Sequence, residues 1–161
     1  VVGQESKAHL ALVGDGEYRK PLEELIERRQ LGDRVTLLGR RDDVGAILKA
    51  ADVFVFPSYT EGMPNALLEA MAAGLPVVAS DILACREVIT HECTGLLVPA
   101  AKSKALADAI LGLLADSEAA TRLGEAARKH VQDAFRIEVC FDAYETLYRR
   151  TLLWHRSATG E

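Results

Sequence analysis

The stretch Asp52-Val53-Phe54-Val55-Phe56-Pro57-Ser58-Tyr59-Thr60-Glu61-Gly62-Met63-Pro64-Asn65-Ala66-Leu67-Leu68-Glu69-Ala70-Met71-Ala72-Ala73-Gly74-Leu75-Pro76-Val77-Val78-Ala79 decides the fold. Asp52 to Phe56 is a nearly continuous apolar run, the pattern of a strand buried on both faces of a parallel sheet. Asn65 to Ala73 reads as a helix, with Gly74 as its C-terminal stop and Pro76 just beyond. Pro76 to Ala79 is a second short, buried strand. A strand, a helix and a strand of this kind make a βαβ unit, and such units imply parallel pairing.

The rest of the chain repeats the alternation. His9–Val13 reads as a strand ending in the turn Gly14-Asp15-Gly16. Glu17–Gln30 reads as a helix with Leu22, Leu25 and Ile26 on its apolar side. Val35–Leu38 is the next strand, and Gly39 ends it. Asp42-Asp43 supplies acidic residues to the first turn of a helix through Val44, Ile47 and Leu48. Cys85–Ile89 is one or two helical turns, and Gly95–Val98 the last strand, closed by Pro99. Helical patterns follow at Ala105–Leu114, Glu118–Val131 and Ile137–Trp154. The fold class is α/β, a doubly wound, Rossmann-like parallel sheet with flanking helices. Ligands of such sheets sit at the carboxyl ends of the strands, where the Pro57–Pro64 loop lies.

Composition narrows the function classes. With 161 residues the chain suits a single domain, 1–161. It is 49% hydrophobic and 27% charged, as soluble globular chains are. A net charge of -5 argues against a nucleic-acid binder, which needs a basic face. No apolar run is long enough to span a bilayer, and no secretory signal pattern opens the sequence. Cys85, Cys93 and Cys140 lack metal-type spacing, and their odd number suits a reducing cytosol. His91-Glu92-Cys93 is not expected to bind metal, because adjacent residues on an extended segment point apart. The opening Val1-Val2-Gly3, without an initiator methionine, reads as part of a longer chain.

The helix at Asn65 carries the functional signal. Its only polar side chains, Asn65 and Glu69, are four apart and share one face, separated by about 6 Å of rise. A carboxylate on a helix buried nearly all round needs a partner, and a ligand with hydroxyls would serve. The helix start carries free N–H groups and a partial positive charge. Pro64 fits the first turn and Gly62 permits close backbone approach. A diphosphate could dock on the N–H groups of Asn65, Ala66 and Leu67. Glu61 then lies beyond the phosphates and Glu69 one turn inside, the order of a nucleotide sugar. The alternative is structural: Asn65 caps the helix and Glu69 pairs with an arginine.

These residues resemble the E-x7-E motif of GT-B fold glycosyltransferases, most closely the retaining family-4 type. The likeness runs from Phe56 to Asp81 and includes Leu12-Val13-Gly14-Asp15-Gly16 and Gly95-Leu96-Leu97-Val98-Pro99. It implies the C-terminal, donor-binding domain of a two-domain enzyme. Glu61, Gly62, Met63, Pro64 and Asn65 would hold the donor sugar, with Glu61 the catalytic-site carboxylate that positions it rather than attacking it. The amides of Asn65, Ala66 and Leu67 would hold the diphosphate, and Glu69 the ribose hydroxyls. Arg40 and Arg41, after Gly39, would contact the base, with a solvated surface pair as the alternative. No metal and no other cofactor is implied. The partners implied are a nucleotide sugar, an N-terminal acceptor domain and a glycan or lipid-linked acceptor. The location implied is cytoplasmic, or peripheral at the inner membrane surface.

Two departures from the family pattern stand out. The family domain begins with a central strand bearing Gly-Arg-Leu and a following lysine that clamp the diphosphate, and nothing before His9 matches it. The family's Asp-Ile-Pro-Gly-Cys-Arg-Glu reads here Asp81-Ile82-Leu83-Ala84-Cys85-Arg86-Glu87. Glu87 is either near the donor site or a helix-stabilising residue. On the last helix, Tyr144, Leu147, Tyr148 and Leu152 are expected to pack on this domain, leaving Trp154 for the partner domain. Two rival functions remain: a nucleotide-sugar epimerase of related fold, and a non-catalytic scaffold domain. The fragment alone is expected to transfer no sugar.

Overall fold

The computed structural model describes residues 1, 5 and 7–159, with side chains as far as residue 151. Five strands alternate with helices: β1 (Leu10–Val13), α1 (Arg19–Arg28), β2 (Val35–Gly39), α2 (Val44–Ala50), β3 (Phe54–Phe56), α3 (Asn65–Ala72), β4 (Val77–Ser80), α4 (Leu83–Val88) and β5 (Leu96–Val98). Three helices follow, α5 (Ser103–Ala115), α6 (Ser117–Ala134) and α7 (Ile137–Thr159). Every strand pair is parallel, as βα alternation requires.

The strands form two sheets rather than one: β1 pairs with β2, and β3, β4 and β5 pair in that order. β1 and β3 do not pair with each other.

β4 is buried along its whole length and organises the core. Its side chains alternate between the two faces. Val77 and Ala79 pack with Leu67, Ala70 and Met71 of α3 and Ala127 of α6. Val78 packs on the other side with Leu113, Leu106 and Ile110 of α5 and Leu123 of α6. The register Val55↔Val78 and Ala79↔Leu97 fixes the flanking strands.

The end of α3 is a Schellman motif. Gly74 takes φ 83°, its N–H donates to Met71 O at 2.9 Å, and the Leu75 N–H donates to Ala70 O at 3.1 Å. This turn carries the chain straight into β4. Gly124 of α6 sits against the turn so closely that a Cβ there would lie 2.1 Å from Gly74 O. Near the far end of the sheet, His91 Nδ1 accepts the Leu97 N–H at 3.0 Å, which makes it a support for β5. Asp116 caps α6 by accepting the Ala119 N–H at 2.9 Å.

Several expectations need correction. β3 is half-buried, not buried on both faces, because its outer edge carries no neighbouring strand. The apolar side of α1 is not covered: the helix buries no residue, and Leu22 and Leu25 are exposed. Among the described residues before Leu48 no apolar side chain is fully buried. On α7 the expected packing is absent, with Tyr144 56%, Leu147 57% and Tyr148 65% exposed. The apolar line of α7 leaves the domain instead of closing on it. The side chains of Leu152 and Trp154 lie outside the described residues.

Candidate functional site

Pro64 supplies the N-cap of α3 and is itself fully buried, anchoring the loop to the core. The helix begins at Asn65, one position later than a Pro at the first helical position would give. No side chain caps this end, so Asn65 is not the cap. Its N–H donates to Met63 O at 2.9 Å, and the Leu67 N–H donates to Pro64 O at 3.0 Å. The Ala66 N–H has no acceptor among the described residues. Of the three amides assigned to the diphosphate, Ala66 is ready, while the other two would exchange internal bonds for a phosphate oxygen.

α3 is not buried all round. Asn65, Ala66 and Glu69 form an exposed line, opposite the buried Leu67, Ala70 and Met71. Glu69 therefore meets no desolvation penalty, and the argument that burial demands a partner fails. Its presumed arginine is absent too: Glu69 makes no ion pair or side-chain hydrogen bond among the described residues. A carboxylate held on a rigid helix, with all its acceptor capacity unused, faces solvent one turn from the helix start.

Glu61, Gly62 and Met63 are exposed on the loop that follows β3. Ser58 Oγ–H donates to Glu61 Oε1 at 2.8 Å, which fixes the carboxylate and leaves Oε2 without a partner among the described residues. Ser58 was not singled out from the sequence. The signal was available: a hydroxyl three residues before a loop carboxylate closes a turn readily.

The turn after β4 meets this loop. Cys85 is buried, and burial pushes its thiol pKa up, with the negative charges of Glu61 and Asp81 pushing the same way. Asp81 is chelated by Arg86, whose Nε and Nη2 donate to Oδ1 and Oδ2 at 2.5 and 2.9 Å. The guanidinium hydrogen bonds hold the Asp81 carboxyl below the usual range. Glu87 is exposed, as is Leu83 beside it.

Arg40 and Arg41 follow β2, also at a carboxyl end. Arg41 is tied to Asp43 by hydrogen bonds of 2.8 and 2.6 Å, so it is half of a local pair. Arg40 is exposed. Among the described residues no cluster of His, Cys, Asp and Glu could hold a metal ion, and no helix is long and apolar enough to cross a membrane.

The carboxyl edge of the three-stranded sheet thus presents the start of α3, without a side-chain cap, beside two exposed glutamates, on a fold of parallel strands and flanking helices. The chain belongs to the glycosyl transferases group 1 family, whose model matches residues 2–130. It is 37% identical over 144 residues to N-acetyl-alpha-D-glucosaminyl L-malate synthase of Bacillus anthracis, covering 89% of this chain and 38% of that protein. The sucrose-phosphate synthase of Thermosynechococcus elongatus superposes with a TM-score of 0.85 at 37% identity, over 94% of this chain and 40% of that one. HepE of Anabaena, solved in complex with UDP-glucose, gives a TM-score of 0.84 at 29% identity, over 90% and 42%. The chain thus spans about 40% of the length of the relatives it matches.

Proposed function

We propose that this chain is the donor-binding domain of a hexosyltransferase that retains anomeric configuration. The observation that carries the reading is the exposed Glu61–Glu69 edge beside an uncapped helix start. Glu61, braced by Ser58, would accept hydrogen bonds from donor-sugar hydroxyls through Oε2, with the Gly62–Asn65 backbone beneath the ring. The Ala66 amide, joined by those of Asn65 and Leu67, would take the diphosphate, and Glu69 both ribose hydroxyls. Arg40 and the Arg41 segment would flank the base.

In this reading no metal is needed, because the amides at the start of α3 would stabilise the leaving diphosphate. The acceptor domain and the attacking hydroxyl belong to the rest of the longer protein, which would act in the cytoplasm or at the inner membrane face. The complex of HepE with UDP-glucose supports a uridine donor as the first to try.

Calorimetry on the full-length protein tests this, with UDP, GDP and ADP titrated into parent and Glu69→Ala. Hydrogen bonds to a carboxylate contribute about 2 kcal/mol, so the variant should bind its nucleotide about 30-fold more weakly. Equal affinity in the two proteins would remove Glu69 from the site, and no binding of any nucleotide would remove the reading.

A further inference from the structure

A hollow lies beside the start of the loop that carries Glu61. It has a volume of about 220 Å³ and is bounded by Pro57 and Tyr59 after β3, Ser80 at the end of β4, Pro99 after β5, and Lys102 and Ser103 at the start of α5. At about 30 Å³ per water, that room holds several waters or one phosphoryl group with part of what it is attached to.

Ser80 is its floor. The residue is only 4% exposed, and its hydroxyl has no hydrogen-bond partner among the described residues. Alternation along β4 puts Ser80 on the face of Val78, the face that packs against α5. Among the described residues no sealed side-chain N or O atom lacks a partner, so the Ser80 hydroxyl is the part of this buried residue that opens to solvent and can meet a ligand there.

The start of α5 supplies donors of matching geometry. No side chain caps this 13-residue helix, so the N–H groups of its first turn are open. The N-cap position is Lys102, a cation at the positive end of the helix dipole. Ala101, just before it, holds φ 61°, in the left-handed region. No acidic side chain lines the hollow. The open amides of the α5 start, a lysine and a serine thus border one hollow.

We propose that this hollow is an anion site that takes a phosphoryl group. The Ser103–Ala105 amides and Lys102 would meet its oxygens, and the Ser80 hydroxyl would donate from below. The site stands apart from the donor edge, since α3 and α5 pack on opposite faces of β4. Both share the Pro57–Tyr59 segment, whose Ser58 braces Glu61.

The test is an NMR titration of the ¹⁵N-labelled chain with inorganic phosphate and, in a second arm, glucose 1-phosphate, at constant ionic strength. Saturable shifts are expected at the Ser103, Lys104 and Ala105 amides and at Tyr59, while the Ala66 amide stays still. Ser80→Ala should weaken binding about tenfold, the share of one hydrogen bond to a charged group. Lys102→Asp should abolish binding while raising the melting temperature without phosphate, since Asp caps the helix itself. Tighter binding in the second arm makes a phosphomonoester the ligand; equal binding makes it inorganic phosphate. Shifts that never saturate, or that persist unchanged in both variants, would overturn the proposal. Movement of the Ala66 amide alone would also overturn it, without touching the donor reading.

Discussion

Gly124→Ala should destabilise the protein even though alanine is the better helix former. Gly124 lies inside α6, where the exchange alone would stabilise by about 1 kcal/mol. The added Cβ, however, would stand 2.1 Å from Gly74 O, 3.1 Å from Gly74 C and 3.3 Å from Leu75 C. All three are backbone atoms, so no side chain can rotate away. A carbon and a carbonyl oxygen approach comfortably to about 3.3 Å, so α6 and the α3–β4 turn must part by roughly 1 Å. Overpacking of this kind costs about 3 kcal/mol, leaving a net loss of about 2 kcal/mol after the propensity gain. In a domain of this size that lowers the melting temperature by about 4 to 8 °C. Gly112→Ala is the matched control. Gly112 is an exposed helical residue of α5 with nothing within 4 Å of its missing Cβ. It should gain about 0.5 to 1 kcal/mol and melt about 2 °C higher. Thermal melts of the three proteins by circular dichroism decide the matter. Should Gly124→Ala melt at or above the parent, the close packing of α6 on the turn is refuted.

The Asp81 carboxyl, held low by Arg86, gives stability that is full above the ordinary carboxylate range and lost as pH falls through the lowered folded value. Asp81→Asn should therefore be less stable than the parent at pH 7, and urea melts down to acid pH should show that gap closing; a constant gap would sink the linkage. Cys93 and Cys140 are exposed while Cys85 is buried with a raised thiol pKa, so a maleimide at neutral pH should label the first two and spare the third. Mass spectrometry finding Cys85 labelled in the native protein as fast as the others would contradict its burial.

How much of this was legible depended on range in sequence. The β3–α3–β4 unit was readable because its signals are local: an apolar run, a proline, and Gly74-Leu75-Pro76 as punctuation. The cap of α3 fell one residue from its expected place, since Pro64 took the N-cap itself. The exposure of Glu69 was misread because three alanines beside it looked like core, whereas Ala66 and Ala72 are exposed. An alanine is small enough to be indifferent to either side. Strand pairing is non-local, so the division into two sheets carried no sequence signal of its own. The aromatic residues of α7 announced burial, but composition cannot say against what. Ser80 went unnoticed because a serine ending a strand is ordinary; only the hollow beside it gives its hydroxyl meaning.

The division of the sheet has a consequence for how the molecule breathes. The described residues ahead of Leu48 bury no apolar side chain fully, while Val77–Ser80 are buried along the whole strand. Opening free energy tracks that burial, so β1 and β2 form a low-stability cooperative unit beside a high-stability one built on β4. Amide protons of Leu10–Val13 would trade with solvent through local openings, while those of β4 wait for global unfolding. Arg40 and Arg41 ride on the soft unit, and Glu61 and Glu69 on the hard one. A nucleotide that touched both would draw the two into a single cooperative body, and its affinity would include the cost of quieting the first.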